Sequence, residues 1–225
     1  MNEQLWLELP PISERAPRRL MVFLHGAGSS PEAFAPIALA WQLRFPGAVA
    51  ILMQGLRRFG EVADWFDPRD ADGQAAERAR SASDTIAQRI VSVQQNVAVD
   101  AQRTVLIGHA QGVTLALDMV RAHPALASIV VAYAGRLTRP IRDTDTDTLT
   151  STIHLIHGEF DSVVPAVHGS QAYRGLRAIG ADVSLDIVED EAHSIGQGLV
   201  NLGTTRVMQT LFRGRQRVRP THILH

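Results

Sequence analysis

Short apolar runs separated by longer helical stretches restrict the fold of this chain more than any other feature. The runs are LMVFL at 20–24, AVAILM at 48–53, TVLIG at 104–108, ASIVVAY at 127–133 and TIHLIH at 152–157. Such a run, with little polar alternation, suits a strand covered on both faces, as parallel sheets require. Parallel neighbours need crossovers, and crossovers of this length place helices on both faces of the sheet. The patterns predict helices over 32–44, 76–96, 111–121, 166–179 and 198–212, and a further strand at 182–188. Residues 3–9 read as an outer strand ended by Pro10-Pro11, and 54–75 as a polar, glycine-bearing connection. The expected architecture is α/β with a mostly parallel sheet in one domain over 1–225. Its core spans about 18–212, and a basic C-terminal tail covers about 213–225.

A chain of 225 residues can bury one substantial core. Its formal charge of -1 gives no overall field that would draw it to nucleic acid or lipid. Without cysteine there is no disulfide, thiolate metal site or cysteine nucleophile, which fits a reducing compartment. The opening MNEQLWLELPP lacks the charged flank and apolar core of a signal peptide. No apolar run reaches the roughly 18 residues of a membrane span. A cytoplasmic location is the expectation.

In open α/β sheets ligands meet the C-terminal ends of the strands. Four features fall there: the loop His25-Gly26-Ala27-Gly28 after the run at 20–24, GHAQG at 108–112, Asp161, and His193. A Gly-x-x-x-Gly turn from strand into helix matches a nucleophile elbow, where side chains beside the sharpest point would collide with backbone. The order elbow, acid, histidine is that of α/β-hydrolases. The central position, however, is Ala110. His193 suits a general base that later returns its proton to a leaving group. Asp161 would hold its imidazole in one tautomer; Glu159 is the nearest competitor, and Glu189, Asp190 and Glu191 are weaker ones. Backbone amides must meet the negative charge that develops on an attacked carbonyl, and those of Gln111 and Ala27 are placed for it.

Taken together, LHGAG at 24–28, WFD at 65–67, GHAQG at 108–112, HGEFDSVVP at 157–165 and EDEAHSI at 189–195 resemble the phospholipase/carboxylesterase family of α/β-hydrolases. That family includes acyl-protein thioesterases, and the later segments are most similar to its bacterial YpfH-like esterase branch. The resemblance implies an α/β-hydrolase fold with a minimal lid. It places the nucleophile at Ala110, the acid at Asp161, the base at His193 and the oxyanion amides at Ala27 and Gln111. It implies a small-molecule carboxylic ester as substrate, without cofactor or metal, and homodimers like those of several members. Trp65 and Phe66 would border an acyl pocket, or else pack in the core. They join His25 and His109 as candidates for substrate contact.

Alanine has no hydroxyl to attack a carbonyl, so no acyl-enzyme can form through residue 110. Loss of a triad member costs orders of magnitude in rate. The expectation is a serine esterase site inactivated by a serine-to-alanine replacement, and the alternative is a natural acyl- or ester-binding pseudoenzyme. Thioester or lysophospholipid hydrolysis remains a rival specificity. Asp143, Asp145 and Asp147 begin like a calcium loop. The sixth and twelfth positions are Thr148 and His154 instead of Gly and Glu, so no calcium site is expected. His154 and His157, three apart on a strand, face opposite ways and make a poor metal pair. The tail arginines 213, 215, 217 and 219 read as a basic terminus without a nucleic-acid partner.

Overall fold

In a computed structural model of the chain, residues 5–13, 15–69, 74–141 and 149–218 are described. The apolar runs become interior strands because covering both faces is what makes such runs favourable. In chain order the strands are β1 (Trp6–Leu9), β2 (Arg19–Leu24), β3 (Ala48–Met53), β4 (Arg57–Phe59), β5 (Val62–Asp64), β6 (Thr104–His109), β7 (Ile129–Tyr133), β8 (Thr152–Gly158) and β9 (Val183–Val188). The helices are α1 (Pro31–Arg44), α2 (Ala75–Asn96), α3 (Gln111–Ala122), α4 (Val167–Ala178) and α5 (Gln197–Val218).

Seven strands form one sheet in the order β1-β3-β2-β6-β7-β8-β9. Only β1 runs antiparallel, paired to β3 with Trp6 opposite Met53. Helices α2, α3 and α4 cover one face over Leu20, Val22, Leu106 and Val130. Helices α1 and α5 cover the other over Met21, Phe23, Val105 and Val131. The alternation of neighbours between the two cores is the period of two that a strand imposes. On α2 the buried positions Ala79, Ala82, Ser83, Ile86, Ala87, Ile90 and Val93 follow helical spacing, which yields one apolar stripe. At the start of α1, Ser30 accepts a hydrogen bond from the Ala33 amide at 3.2 Å, and Pro31 fills the first helical position.

Two expectations need correction. The 54–75 stretch is not a plain connection, because β4 and β5 form an antiparallel hairpin within it. Its strands are three residues each and mostly exposed, so no burial alternation marks them. The last helix does not end near 212 but continues through Val218, into the segment read as a tail. Arginine is a good helix former, and cations suit a helix C-terminus. Asp143–Asp147, the calcium-like series, lies outside the described residues, as does Arg219. Among the described residues, no helix is long and apolar enough to cross a membrane.

Candidate active site

The turn from β6 into α3 is as tight as the glycines suggest. A Cβ on Gly108 would lie 2.8 Å from the carbonyl carbon of Gly112, and one on Gly112 would lie 2.1 Å from the Leu24 carbonyl oxygen. Neither backbone neighbour can yield, so both positions exclude a side chain. Between them Ala110 has φ 48° and ψ -111°, a region that costs an alanine on the order of 1–3 kcal/mol. Surrounding bonds hold it there. The Ala110 amide donates to the Tyr133 carbonyl at 3.0 Å, and the Tyr133 hydroxyl donates to the Leu199 carbonyl at 3.1 Å.

Opposite the elbow stand the proposed acid and base. Nδ1 of His193 lies 2.8 Å from Oδ2 of Asp161, whose side chain is fully buried. The other carboxylate oxygen accepts from the Val163 and Val164 amides at 2.9 and 2.7 Å. Burial opposes the charge on Asp161. The His193 contact and the two amides outweigh it and hold the carboxyl below its ordinary value. The competitor Glu159 is exposed, as are Glu189 and Asp190. His157 donates from Nε2 to the Val164 carbonyl at 2.6 Å and lies 3.5 Å from Asp161, so it braces the turn that presents the acid.

His109 plays a part that its sequence position does not advertise. Its Nε2 lies 2.8 Å from the His193 carbonyl oxygen, and the two rings are 4.7 Å apart. Burial lowers its pKa to about 4, so near neutral pH the ring is uncharged and Nε2–H serves as the donor. His109 therefore fixes the backbone of the loop that carries His193.

The first glycine loop closes over the elbow. A Cβ on Gly26 would lie 3.6 Å from the Ala110 Cβ. Gly28 has φ 65°, and its amide donates to Oδ1 of Asp64 at 2.8 Å. Ala63 pairs with Ser29 through a 2.8 Å amide-to-carbonyl bond. The β4–β5 hairpin thus supports the loop that holds Ala27. Gln111 ties the same region to α3: its Oε1 accepts from the Trp65 amide at 2.8 Å, and its Nε2 donates to the Phe66 carbonyl at 3.0 Å. The amides of Ala27 and Gln111 make no backbone hydrogen bond among the described residues.

A cleft of about 1130 Å³ opens at this edge of the sheet, lined by Ala27, His109, Ala110, Gln111, His193 and Phe66. Trp65 and His25 are placed differently from the sequence expectation of substrate contact. Each is 1% exposed, and neither lines the cleft. The Trp65 indole N–H donates to the His25 carbonyl at 2.8 Å, and the two rings pack 4.7 Å apart. Asp64, the Gln111 amide group and the cleft arginines Arg136 and Arg174 carried no sequence signal, because their roles arise only when distant segments meet. Among the described residues, no group of three or more His, Cys, Asp or Glu side chains is arranged to hold a metal. His154 instead contacts the hydroxyls of Ser184 and Thr210 at 2.7 and 2.9 Å.

Known proteins resemble this chain in sequence and fold. The chain is 32% identical over 185 residues to Esterase YpfH of Escherichia coli (strain K12), spanning 81% of this chain and 78% of that protein. Among solved structures it resembles esterase PE8, at 24% identity and a TM-score of 0.77, covering 91% of this chain and 98% of the other. The Bacillus cereus carboxylesterase superimposes with a TM-score of 0.75 at 15% identity, covering 92% and 95%, a likeness of fold alone. The model of the phospholipase/carboxylesterase family matches residues 12–202. The strained turn, the acid beside the histidine and this match lead to one conclusion: the chain belongs to the phospholipase/carboxylesterase family of α/β-hydrolases.

Proposed function

We propose that this chain is a single-domain carboxylesterase scaffold for short or medium acyl esters, able to bind its substrate but nearly inactive because Ala110 occupies the nucleophile position. The observation that carries this reading is the backbone of Ala110, held at φ 48° and ψ -111° on the same cleft as His193 and its partner Asp161. A strained turn persists only where its surroundings enforce it, and such strain is concentrated at functional sites.

In a serine-bearing form the hydroxyl at 110 attacks the ester carbonyl. Because Nδ1 of His193 faces Asp161, Nε2 is the atom that takes the serine proton. The Ala27 and Gln111 amides receive the oxyanion, and His193 returns its proton to the departing alcohol. His193 next deprotonates a water, which attacks the acyl-serine carbonyl. Collapse of that second intermediate releases the carboxylic acid and restores the serine. With alanine the first bond cannot form, and the ester stays intact.

The test is Ala110→Ser assayed with aryl esters of graded acyl length. Turnover is expected to rise by roughly 10⁴-fold or more, the usual scale for restoring a triad member. A folded serine variant that hydrolyses none of these esters overturns the reading. A natural binding protein is the second reading, favoured by alanine itself standing in the chain. A serine codon at position 110 of the source gene would exclude it.

A further inference from the structure

The cleft is mostly apolar, with charge at one place. Phe66, Pro68, Ala75 and Ala76 line it from one segment, and Leu137, Ile141, Val163 and Val164 from others. Among these lie Arg136, His168, Gln171 and Arg174, and no carboxylate lines the cleft among the described residues. Arg136 follows β7, and its carbonyl accepts from the Thr114 hydroxyl at 3.0 Å, one turn along α3 from Ala110. Arg174 lies on α4 next to Gly175, whose missing Cβ would come 3.1 Å from the Ile141 Cβ. That close approach draws α4 against the segment after Arg136, so both arginines belong to one wall.

Both are exposed, and their charges are unanswered among the described residues. Arg57 and Arg69 face Asp67, Arg103 faces Asp100, and Arg206 faces Asp186. Arg177, one turn beyond Arg174, stacks over the Tyr173 ring at 5.8 Å. Neither Arg136 nor Arg174 has a hydrogen-bonded or ion-paired partner for its guanidinium among the described residues. Asp118 does not serve them: its carboxylate accepts from Thr138 and is set among Arg80, Arg121 and Arg139.

We propose that the cleft selects esters bearing a second, anionic group, a carboxylate or phosphate, which Arg136 and Arg174 bind while the apolar end lies against the Phe66 side. The proposal rests on the ester-site reading above. Guanidinium groups bind such oxyanions through paired, charge-assisted hydrogen bonds. A cavity of about 1130 Å³ has room for both ends of such a molecule.

The Ala110 chain is itself the reagent for the test, because bound ester is not consumed. Calorimetric titration compares monophenyl glutarate with its neutral isostere phenyl glutaramate, which places the anion on the acyl side. A second arm compares 4-butyryloxybenzoate and 4-butyryloxyphenyl phosphate with 4-butyryloxybenzamide, which places it on the alcohol side. In one arm the anion is expected to bind about tenfold tighter than the amide, as a charge-assisted pair allows. The preference should shrink as ionic strength rises and approach unity in the double variant Arg136→Gln, Arg174→Gln. A ratio near one in both arms overturns the proposal, as does a preference that survives the double substitution. If that variant does not fold, a preference unmoved by salt overturns it. In Ala110→Ser, hydrolysis of acid and amide esters at equal kcat/KM defeats the anion site and leaves the esterase reading standing. No hydrolysis, with anion preference retained by the Ala110 chain, does the reverse.

Discussion

The two sides of the cleft are finished to different degrees. Around the elbow and Phe66 the main polar contacts are made within the protein: Gln111 to Trp65 and Phe66, Trp65 to His25, Asp64 to Gly28, and His109 to His193. Across the cleft Arg136 and Arg174 point no donor at a described protein acceptor. Groups satisfied within the protein set geometry, because moving one of them leaves a donor or acceptor unmatched. Groups left unmatched by the described residues beside a cavity are available to solvent or a ligand. The finished side should therefore govern chemistry and stability, and the unfinished side the choice of substrate.

The hardest test of that division uses Asp161→Asn in the Ala110→Ser background. An amide there no longer favours the required His193 tautomer, and kcat should fall by roughly 10⁴-fold with little change in KM. A loss of less than tenfold would show that the acid is not part of the chemistry.

Acid should loosen the buried interior, His109 on the finished side included. Burial holds the pKa of His109 and of His154 at about 4, whereas in an unfolded chain each titrates near 6.5. Between those values the unfolded state binds more protons, so stability is full above about pH 6.5 and is lost as pH falls toward 4. Urea midpoints should imply a loss on the order of 2–3 kcal/mol per histidine, roughly 5 kcal/mol for the pair, between pH 7 and 4.5. A flat profile over that window would contradict the buried neutral rings.

The smallest effect is the most local. Gln111→Ala removes both side-chain bonds to the Trp65–Phe66 segment and should cost about 1–3 kcal/mol in chemical denaturation. In the serine form it should also blunt discrimination by acyl length while leaving the preference for anionic esters. An unchanged acyl-length profile would mean that Phe66 keeps its place without the clamp.

Much of this was legible in the chain. Continuous apolar runs announce covered strands because few other environments accommodate them, and Gly108 and Gly112 announce the elbow because backbone occupies the space where a Cβ would stand. Asp161 and His193 were legible from their order along the chain. What escaped depends on partners far apart in sequence. Trp65 reads equally as a pocket wall or a core side chain, and what decides for the core is a carbonyl 40 residues earlier that its indole finds. The hairpin escaped because three-residue exposed strands leave no periodic trace, and Asp64 escaped with it. The arginine wall is invisible to local patterns, since a lone arginine on a loop or helix is ordinary until the fold shows that no described residue answers its charge.

The alanine at the elbow has a kinetic consequence of its own. On the function proposed above, an ester seated in this cleft has one exit, back to solvent. Its dwell time therefore reports the off-rate alone, free of the competing rate of bond cleavage that complicates such measurements on a working esterase. Wall by wall, substitutions can be ranked by how long a ligand stays, and the same lifetimes would let a crystal hold an uncleaved ester long enough to be seen.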